Sequence, residues 1–406
     1  MRKTVPVAEL QFGMYVAELD RPWTDTPFRF QGFVLTTPEQ LETLKKFCKT
    51  VLVDPDRQEI LERLPDHRFG STRSAVDLSR TGKKKYAELA SVDQEYRTAS
   101  ATHVTGTATV REALTVLRAG KTLEANKVND AVAGITESVM RNADAMLLFT
   151  QLQQKGDYTQ SHALDVSVYM TAFGRFLEMS PDDLRLLGHV GLLQDVGKVR
   201  LPDTLIQKRE RLTSAEFELA KKHVDYSAEI LRTSAGLPPD LAQLAVLHHE
   251  RHDGSGYPRG LSGKEIGLIG SIAGIVDTFD ALTARRPYGE PVAPSTALSM
   301  LYKWRGTFFD PYLVEQFIRF VGIFPLGSVV ELNSGEVGIV ITQNVEKRLQ
   351  PRIMVTQDAS GNPLKPQKLL DLSRNHKIAS GEPYRIKRTL EFGRIPVGAD
   401  ALFTKA

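Results

Sequence analysis

The sequence predicts a predominantly α-helical protein, flanked by a small α+β module at one end and a small β-rich region at the other. Three observations carry this reading. From about Val110 to Val321, apolar residues recur at helical spacing between well-formed helix starts. Before about residue 65, short strand-like pieces surround one helical segment, and after Phe324 strand-like pieces return between turn residues. At 406 residues the chain also exceeds one ordinary core, so two or three domains are expected.

Composition narrows the class. With 41% hydrophobic and 25% charged residues, the chain reads as soluble and globular. Its 52 basic and 49 acidic residues nearly balance, at a formal charge of +3. That gives no electrostatic case for nucleic acid or a membrane as the main partner. A single cysteine, Cys48, excludes an internal disulfide framework and suits a reducing compartment. Arg2 and Lys3 are followed by no apolar signal region. No uninterrupted apolar stretch reaches the roughly 18 residues of a membrane span. Leu268–Leu282 comes nearest, and Asp277 and Asp280 interrupt it. A cytoplasmic location is the expectation.

Taken in order, residues 1–65 form the α+β module. Val5–Leu10 and Met14–Leu19 have strand character around a turn at Gly13. Thr37 is the expected N-cap of a helix that has Pro38 in its first position and Gln40 completing a capping box. That helix runs to about Phe47, and Thr50–Val53 follows as a strand, which suggests a βαβ-like arrangement. Residues 66–124 read as a linker with helical segments. It contains the basic, polar stretch Arg68–Lys85, whose Lys83, Lys84 and Lys85 read as a solvated face rather than a phosphate contact.

Residues 125–322 make up the helical domain. Ser180, Pro181, Asp182 and Asp183 are a helix start with acidic residues at the positive end of the dipole. Leu184, Leu187 and Gly191 continue it, and Gly197 ends the run. Thr213 and Glu216 form a capping box that opens a helix expected to run through His223. In residues 323–406, Ser328–Leu332, Val337–Thr342 and Arg352–Thr356 read as strands, with turns at Gly335 and Asp358–Gly361. No internal repeat is visible.

The nine histidines are unevenly placed. His248 and His249 adjoin, followed by Glu250, Asp253 and the tight segment Gly254-Ser255-Gly256-Tyr257-Pro258. Neighbouring residues of a regular helix point about 100° apart, so one ion does not readily take both rings, whereas two neighbouring ions could take one each. An isolated pair of this kind more often has one histidine packed and the other solvated. His162, the Gln194-Asp195 pair, His223 and Asp277 enlarge the set. Asp277 interrupts an apolar run, where a carboxylate is costly unless it is paired or metal-bound, and an Asp–Arg pair is the plain alternative. Mixed imidazole and carboxylate donors suit iron, manganese, nickel or zinc better than copper(I) or a cysteine-based zinc site.

The segments HHERHDGSGYP (248–258), LQDVGKVRLPDTLIQK (193–208), His223, DTFDALTARRPY (277–288) and Phe309-Asp310-Pro311 together resemble the HD-GYP family of the HD superfamily. These are metal-dependent phosphodiesterases that cleave the bacterial second messenger cyclic di-GMP. The resemblance covers roughly residues 125–325, and FGMYVAELDRPW near the start is similar to a module often found before this domain. It implies an HD-superfamily helical bundle and a set of metal ligands: His162, Asp195, His223, His248, His249 and Asp277. Asp195 would bridge two divalent ions, iron or manganese first and nickel or zinc as alternatives, which activate water for in-line attack on phosphorus. Lys198 would join Asp195 in catalysis by reaching a phosphate oxygen, and Arg286 would clamp another with its planar fork. Gly256, Tyr257 and Pro258 would shape a loop beside the ligand, and Glu250 would steady a ligand histidine.

Two positions depart from the family pattern. Gln194 stands where the family has a histidine ligand of the first metal, and Tyr158 stands where a third metal would need a glutamate. At most two ions are therefore expected. The first keeps His162, Asp195 and Asp277, and the second keeps Asp195, His223, His248 and His249. A weakened first site and a nearly intact second one follow. His189 faces elsewhere as a packed or surface residue, His252 is a turn residue, and His67, His103 and His376 have no role. Two functions stay open: a phosphodiesterase producing pGpG or GMP, slow because of Gln194, and a degenerate cyclic di-GMP receptor without turnover. The GYP loop is also a candidate docking site for a diguanylate cyclase or another signalling protein, and a homodimer is a candidate state.

Overall fold

The computed structural model of the chain describes residues 3–12, 14–21, 26, 33–35, 38–53, 74–152, 158–208, 210–284, 291–344 and 347–390. At the N-terminal end, strands Lys3–Pro6, Tyr15–Leu19, Phe33–Val34 and Thr50–Val53 form one antiparallel sheet beside the helix Pro38–Phe47. In sequence numbering the strand order is first, fourth, second, third, so the module is α+β but not βαβ. Asp20 decides this: its Oδ2 accepts from Lys49 N at 2.6 Å and Thr50 N at 3.0 Å. That pins the start of the fourth strand at the end of the second, antiparallel to it. The Thr37 cap and the Gly13 turn lie outside the described residues. Val16, Leu35, Leu44 and Val51 fill a small core of their own, while the Tyr15 hydroxyl meets Thr296 Oγ1 at 3.1 Å on the main body.

The stretch read as a linker with helical segments is bound to the body over its described part. Lys83 N and Lys84 N donate to Glu178 O, and the Tyr86 hydroxyl donates to Met179 O. Ser74 Oγ and Ala75 N donate to Asp310 Oδ2, whose other oxygen caps the helix Pro311–Val321 through Leu313 N. Lys83, Lys84 and Lys85 are exposed. A helix of 27 residues, Val92–Arg118, follows, with Ser91 N donating to Gln94 Oε1 at its start. It is fastened to the next helix, Ala125–Arg141, by the buried Glu95, which accepts from Arg141 at 2.8 and 2.9 Å and from Ser138 Oγ at 2.8 Å. Helical structure thus starts at Val92, well before Val110.

Helices Tyr158–Phe176, Pro181–Leu193 and Gly267–Thr283 form the centre of the bundle. Ser180 Oγ accepts from Asp183 N, as the sequence start signal predicts. Gly191 lets two helices touch, because a Cβ there would fall 2.6 Å from Ser167 Cα. The segment from Thr213 is two helices, Ser214–Lys221 and His223–Arg232, with the break at Lys222. None of the described helices is long and apolar enough to cross a membrane.

Five antiparallel strands close the fold in the order Pro363–Asp371, Arg352–Gln357, Val337–Thr342, Val329–Leu332, Ile386–Thr389. Of the two outer strands, Pro363–Asp371 carries exposed lysines and prolines and Ile386–Thr389 an exposed Lys387 and Arg388, and neither shows a clean apolar alternation, so the sequence pattern does not reveal them. Val340 and Ile353 from this sheet share one continuous core with the helices.

Candidate metal centre

Five elements deliver the candidate donors. His162 lies one turn into Tyr158–Phe176, and Asp195 follows the end of Pro181–Leu193. His223 opens its helix, Asp277 lies on Gly267–Thr283, and His248 and His249 follow the single turn Ala245–Leu247. Two groups result: His162, Asp195 and Asp277, and His223, His248 and His249, each with its donor atoms within 4.8 Å of one another. The histidine pair has left regular helix geometry at this point, and its rings sit 4.0 Å apart. The about 100° separation of a regular helix therefore does not apply, and both rings enter one group.

Asp195 joins the groups. Its Oδ2 lies 3.4 Å from His162 Nε2, and its Oδ1 lies 3.3 Å from His223 Nε2 and 3.7 Å from His248 Nε2. Lys198 Nζ also sits on Oδ2, at 2.7 Å. Burial works to raise the carboxyl pKa, but Lys198 and the three histidines outweigh it and hold Asp195 well below the usual carboxylate range. Asp277, also buried, is held low against its desolvation by His162.

The hydrogen bonds determine which ring nitrogens are left as donors to a cation. His223 Nδ1 meets Ala220 O and His248 Nδ1 meets Ala245 O, both at 2.7 Å. A carbonyl only accepts, so each Nδ1 carries the proton and each Nε2 presents a lone pair. Those two Nε2 atoms face each other at 3.4 Å. In the other group, His162 Nδ1 lies 2.7 Å from Asp280 Oδ2, which leaves Nε2 facing carboxylate oxygens at 3.1 and 3.4 Å. Electron pairs converging in this way repel one another unless a metal ion or a proton lies between them. Among the described residues the buried Gln194 Oε1 and Asp195 Oδ1 lack a hydrogen-bond partner, which is compatible with an ion between them and the other donors. The donor set fits divalent metal ions.

Gln194 enters this network through its nitrogen: Nε2 donates to Asp277 Oδ1 at 3.1 Å. Around the second group, Tyr257 stacks on His249 with centroids 4.6 Å apart and an interplanar angle of 24°. Burial, with help from the neighbouring His248, pushes His249 well below its ordinary pKa, and burial raises that of the Tyr257 phenol. Gly256 packs so closely on the His249–Arg251 backbone that a Cβ would collide with it, and Pro258 follows at the surface. Glu250 does not support a histidine. Its oxygens accept from Arg259 N and Leu261 N, each at 2.9 Å, and so hold the GYP loop. The residue that supports His162 is Asp280, which sequence reasoning missed. Its signal was present as a second carboxylate three residues after Asp277. His189 is packed, with Nδ1 on Arg185 O and Nε2 on Asn129 Oδ1. Arg286 lies outside the described residues.

This fold and this histidine–aspartate constellation define an HD-type metal-binding helical domain. Residues 142–313 match the HD domain, residues 2–128 match a domain of unknown function (DUF3391), and residues 329–379 match a KOW domain associated with the HD domain. A cyclic di-GMP phosphodiesterase of Pseudomonas aeruginosa is 32% identical over 388 residues, spanning 94% of this chain and 92% of that protein. A 3'3'-cGAMP-specific phosphodiesterase of Vibrio cholerae is 34% identical over 169 residues, 41% of this chain and 32% of that one. Among solved structures, an HDG"Y"P protein of Bdellovibrio bacteriovorus aligns over 78% of this chain and 98% of its own, at 17% identity and a TM-score of 0.45. The chain belongs to the HD-GYP family of HD-domain proteins.

Proposed function

We propose that this chain is a metal-dependent phosphodiesterase that hydrolyses cyclic di-GMP to linear pGpG or onward to GMP. One observation carries the reading: Asp195 turns one carboxylate oxygen to each of two donor groups, in a chain related along its length to a cyclic di-GMP phosphodiesterase. His162, Asp195 and Asp277 would hold one divalent ion, and Asp195, His223, His248 and His249 the other. Iron or manganese suits these mixed nitrogen and oxygen donors, with nickel or zinc as alternatives. When bound, such ions polarise a phosphoryl oxygen and lower the pKa of water.

The chain's own residues do the positioning. Asp280 and the carbonyls of Ala220 and Ala245 keep three imidazoles in the tautomer that faces the centre. Lys198, about a quarter exposed, pairs with Asp195 and would turn to a phosphate oxygen once Asp195 is neutralised. Arg286 would clamp a second phosphate, and Gly256, Tyr257 and Pro258 would form the wall beside His249. Gln194 favours a second reading, a receptor that binds cyclic di-GMP without turnover, because an amide replaces an imidazole.

The test is hydrolysis of cyclic di-GMP by the chain loaded with manganese or iron. Hydrolysis by the native chain, lost together with metal in Asp195→Ala, is expected. If only Gln194→His is active, the receptor reading stands instead. Unchanged metal content in Asp195→Ala would overturn the site.

A further inference from the structure

The two halves of the centre differ in chemistry, and Gln194 widens the difference. The side chain is almost wholly buried, and its amide has two unequal ends. Asp277 Oδ1 accepts only, so it selects the nitrogen end, and Nε2 sits on it at 3.1 Å. The oxygen end is left free of that bond, and among the described residues Oε1 has no hydrogen-bond partner. A buried carbonyl oxygen without a partner is destabilising until a water or a cation meets it.

We infer that Gln194 Oε1 is a ligand of the first metal, and that it makes this half an oxygen-rich site for a hard ion such as manganese or magnesium. The opposite half remains a nitrogen-rich site for a softer ion such as zinc, iron or nickel. This rests on the dinuclear reading proposed above. The first half then offers one imidazole, His162, against three oxygens from Gln194, Asp195 and Asp277. The second offers three imidazoles, His223, His248 and His249, against one oxygen of Asp195. Carboxylates and carbonyls suit magnesium and manganese, and imidazoles suit zinc, iron and nickel. Zinc outbinds manganese at most sites of either kind, so the expected difference is in the margin between them. A histidine at position 194 would give the first half two imidazoles against two carboxylates and so narrow the difference, whereas Gln194 widens it and keeps the centre mixed.

The test displaces bound manganese with zinc. The metal-free chain is saturated with manganese and titrated with zinc, and bound metal is read by mass spectrometry and by manganese spin resonance. The native chain should release manganese in two separate steps. In Gln194→His the later step should move to at least about tenfold lower zinc, the scale on which changes around a metal act. Gln194→Leu, which keeps bulk without an oxygen, should lose the later-released manganese altogether, while its apo melting temperature reports that it folds. A single release step in the native chain, or the same zinc requirement in Gln194→His, overturns the inference alone. Retention of no metal by any of the chains overturns the dinuclear reading and this inference with it.

Discussion

Asp280 illustrates how a single residue sets the chemistry of its neighbours. It stands three residues after Asp277 on one helix face, and His162 lies between the two carboxylates, with Nδ1 2.7 Å from Asp280 and Nε2 3.1 Å from Asp277. Only one ring nitrogen of a neutral imidazole carries a proton, and the charged Asp280 acceptor draws it to Nδ1. Asp280→Asn keeps the shape but loses that charge. It should weaken metal binding at the His162 group by about 10–100-fold and leave the three-histidine group unchanged. Chelator competition against each half measures this, and an equal loss at both halves would rule out a local role. Asp277 was legible in the sequence because a carboxylate in an apolar run demands a partner, whereas Asp195 and the histidines were singled out as a ligand set by the resemblance of their motifs to the family. The direction of a side chain was not legible. Glu250 adjoins the histidine pair, yet its carboxylate turns to the amides of Arg259 and Leu261. Adjacency in a turn fixes position without fixing orientation.

At the level of elements, the GYP loop works as a clamp on the histidine pair. Glu250 fastens its far side, Tyr257 N reaches His249 O at 3.2 Å, and the Tyr257 ring covers the His249 ring. Gly256 makes this contact close enough, because a methyl group there would enter the backbone of His249–Arg251. Gly256→Ala should therefore lift the loop, lower the melting temperature and weaken metal at the three-histidine group by about tenfold or more. The same metal affinity and stability as the native chain would show that the loop is not a clamp. Capped helices were readable from the sequence, as at Ser180 and Thr213. Breaks set by tertiary contacts were not. The helix from Thr213 gives way at Lys222 to the next one, against which Gly197 packs so closely that a Cβ would collide with His223 O, while Gly197 N donates to Ser227 Oγ. The antiparallel N-terminal sheet likewise depends on one Asp20 side chain that no periodicity reports.

Across the whole molecule, the helical bundle and the C-terminal sheet meet at a half-buried acid. Asp144, on the helix Ala143–Leu152, accepts from Gln343 N at 2.9 Å, and Gln343 Nε2 in turn donates to Val321 O and Phe324 O. Burial pushes the Asp144 carboxyl up to about 7, more than the Gln343 amide lowers it, and the nearby Glu88 adds to the rise. In the unfolded chain the same group titrates at about 3.9. Between these values the folded state holds a proton that the unfolded state has released. Its contribution to stability is thus full below about pH 4, declines as pH rises, and is gone above about 7. Asp144→Asn retains an acceptor for Gln343 N and cannot titrate, so it should lack this decline. The urea midpoint of the variant, compared with that of the native chain, should rise steadily from pH 4.5 to pH 8, about the window these values define. Both chains share the titrating groups of the metal centre, so those groups cancel in the difference. A difference that stays constant across the range would mean that Asp144 is ionised in the folded protein and that the junction is held by packing alone.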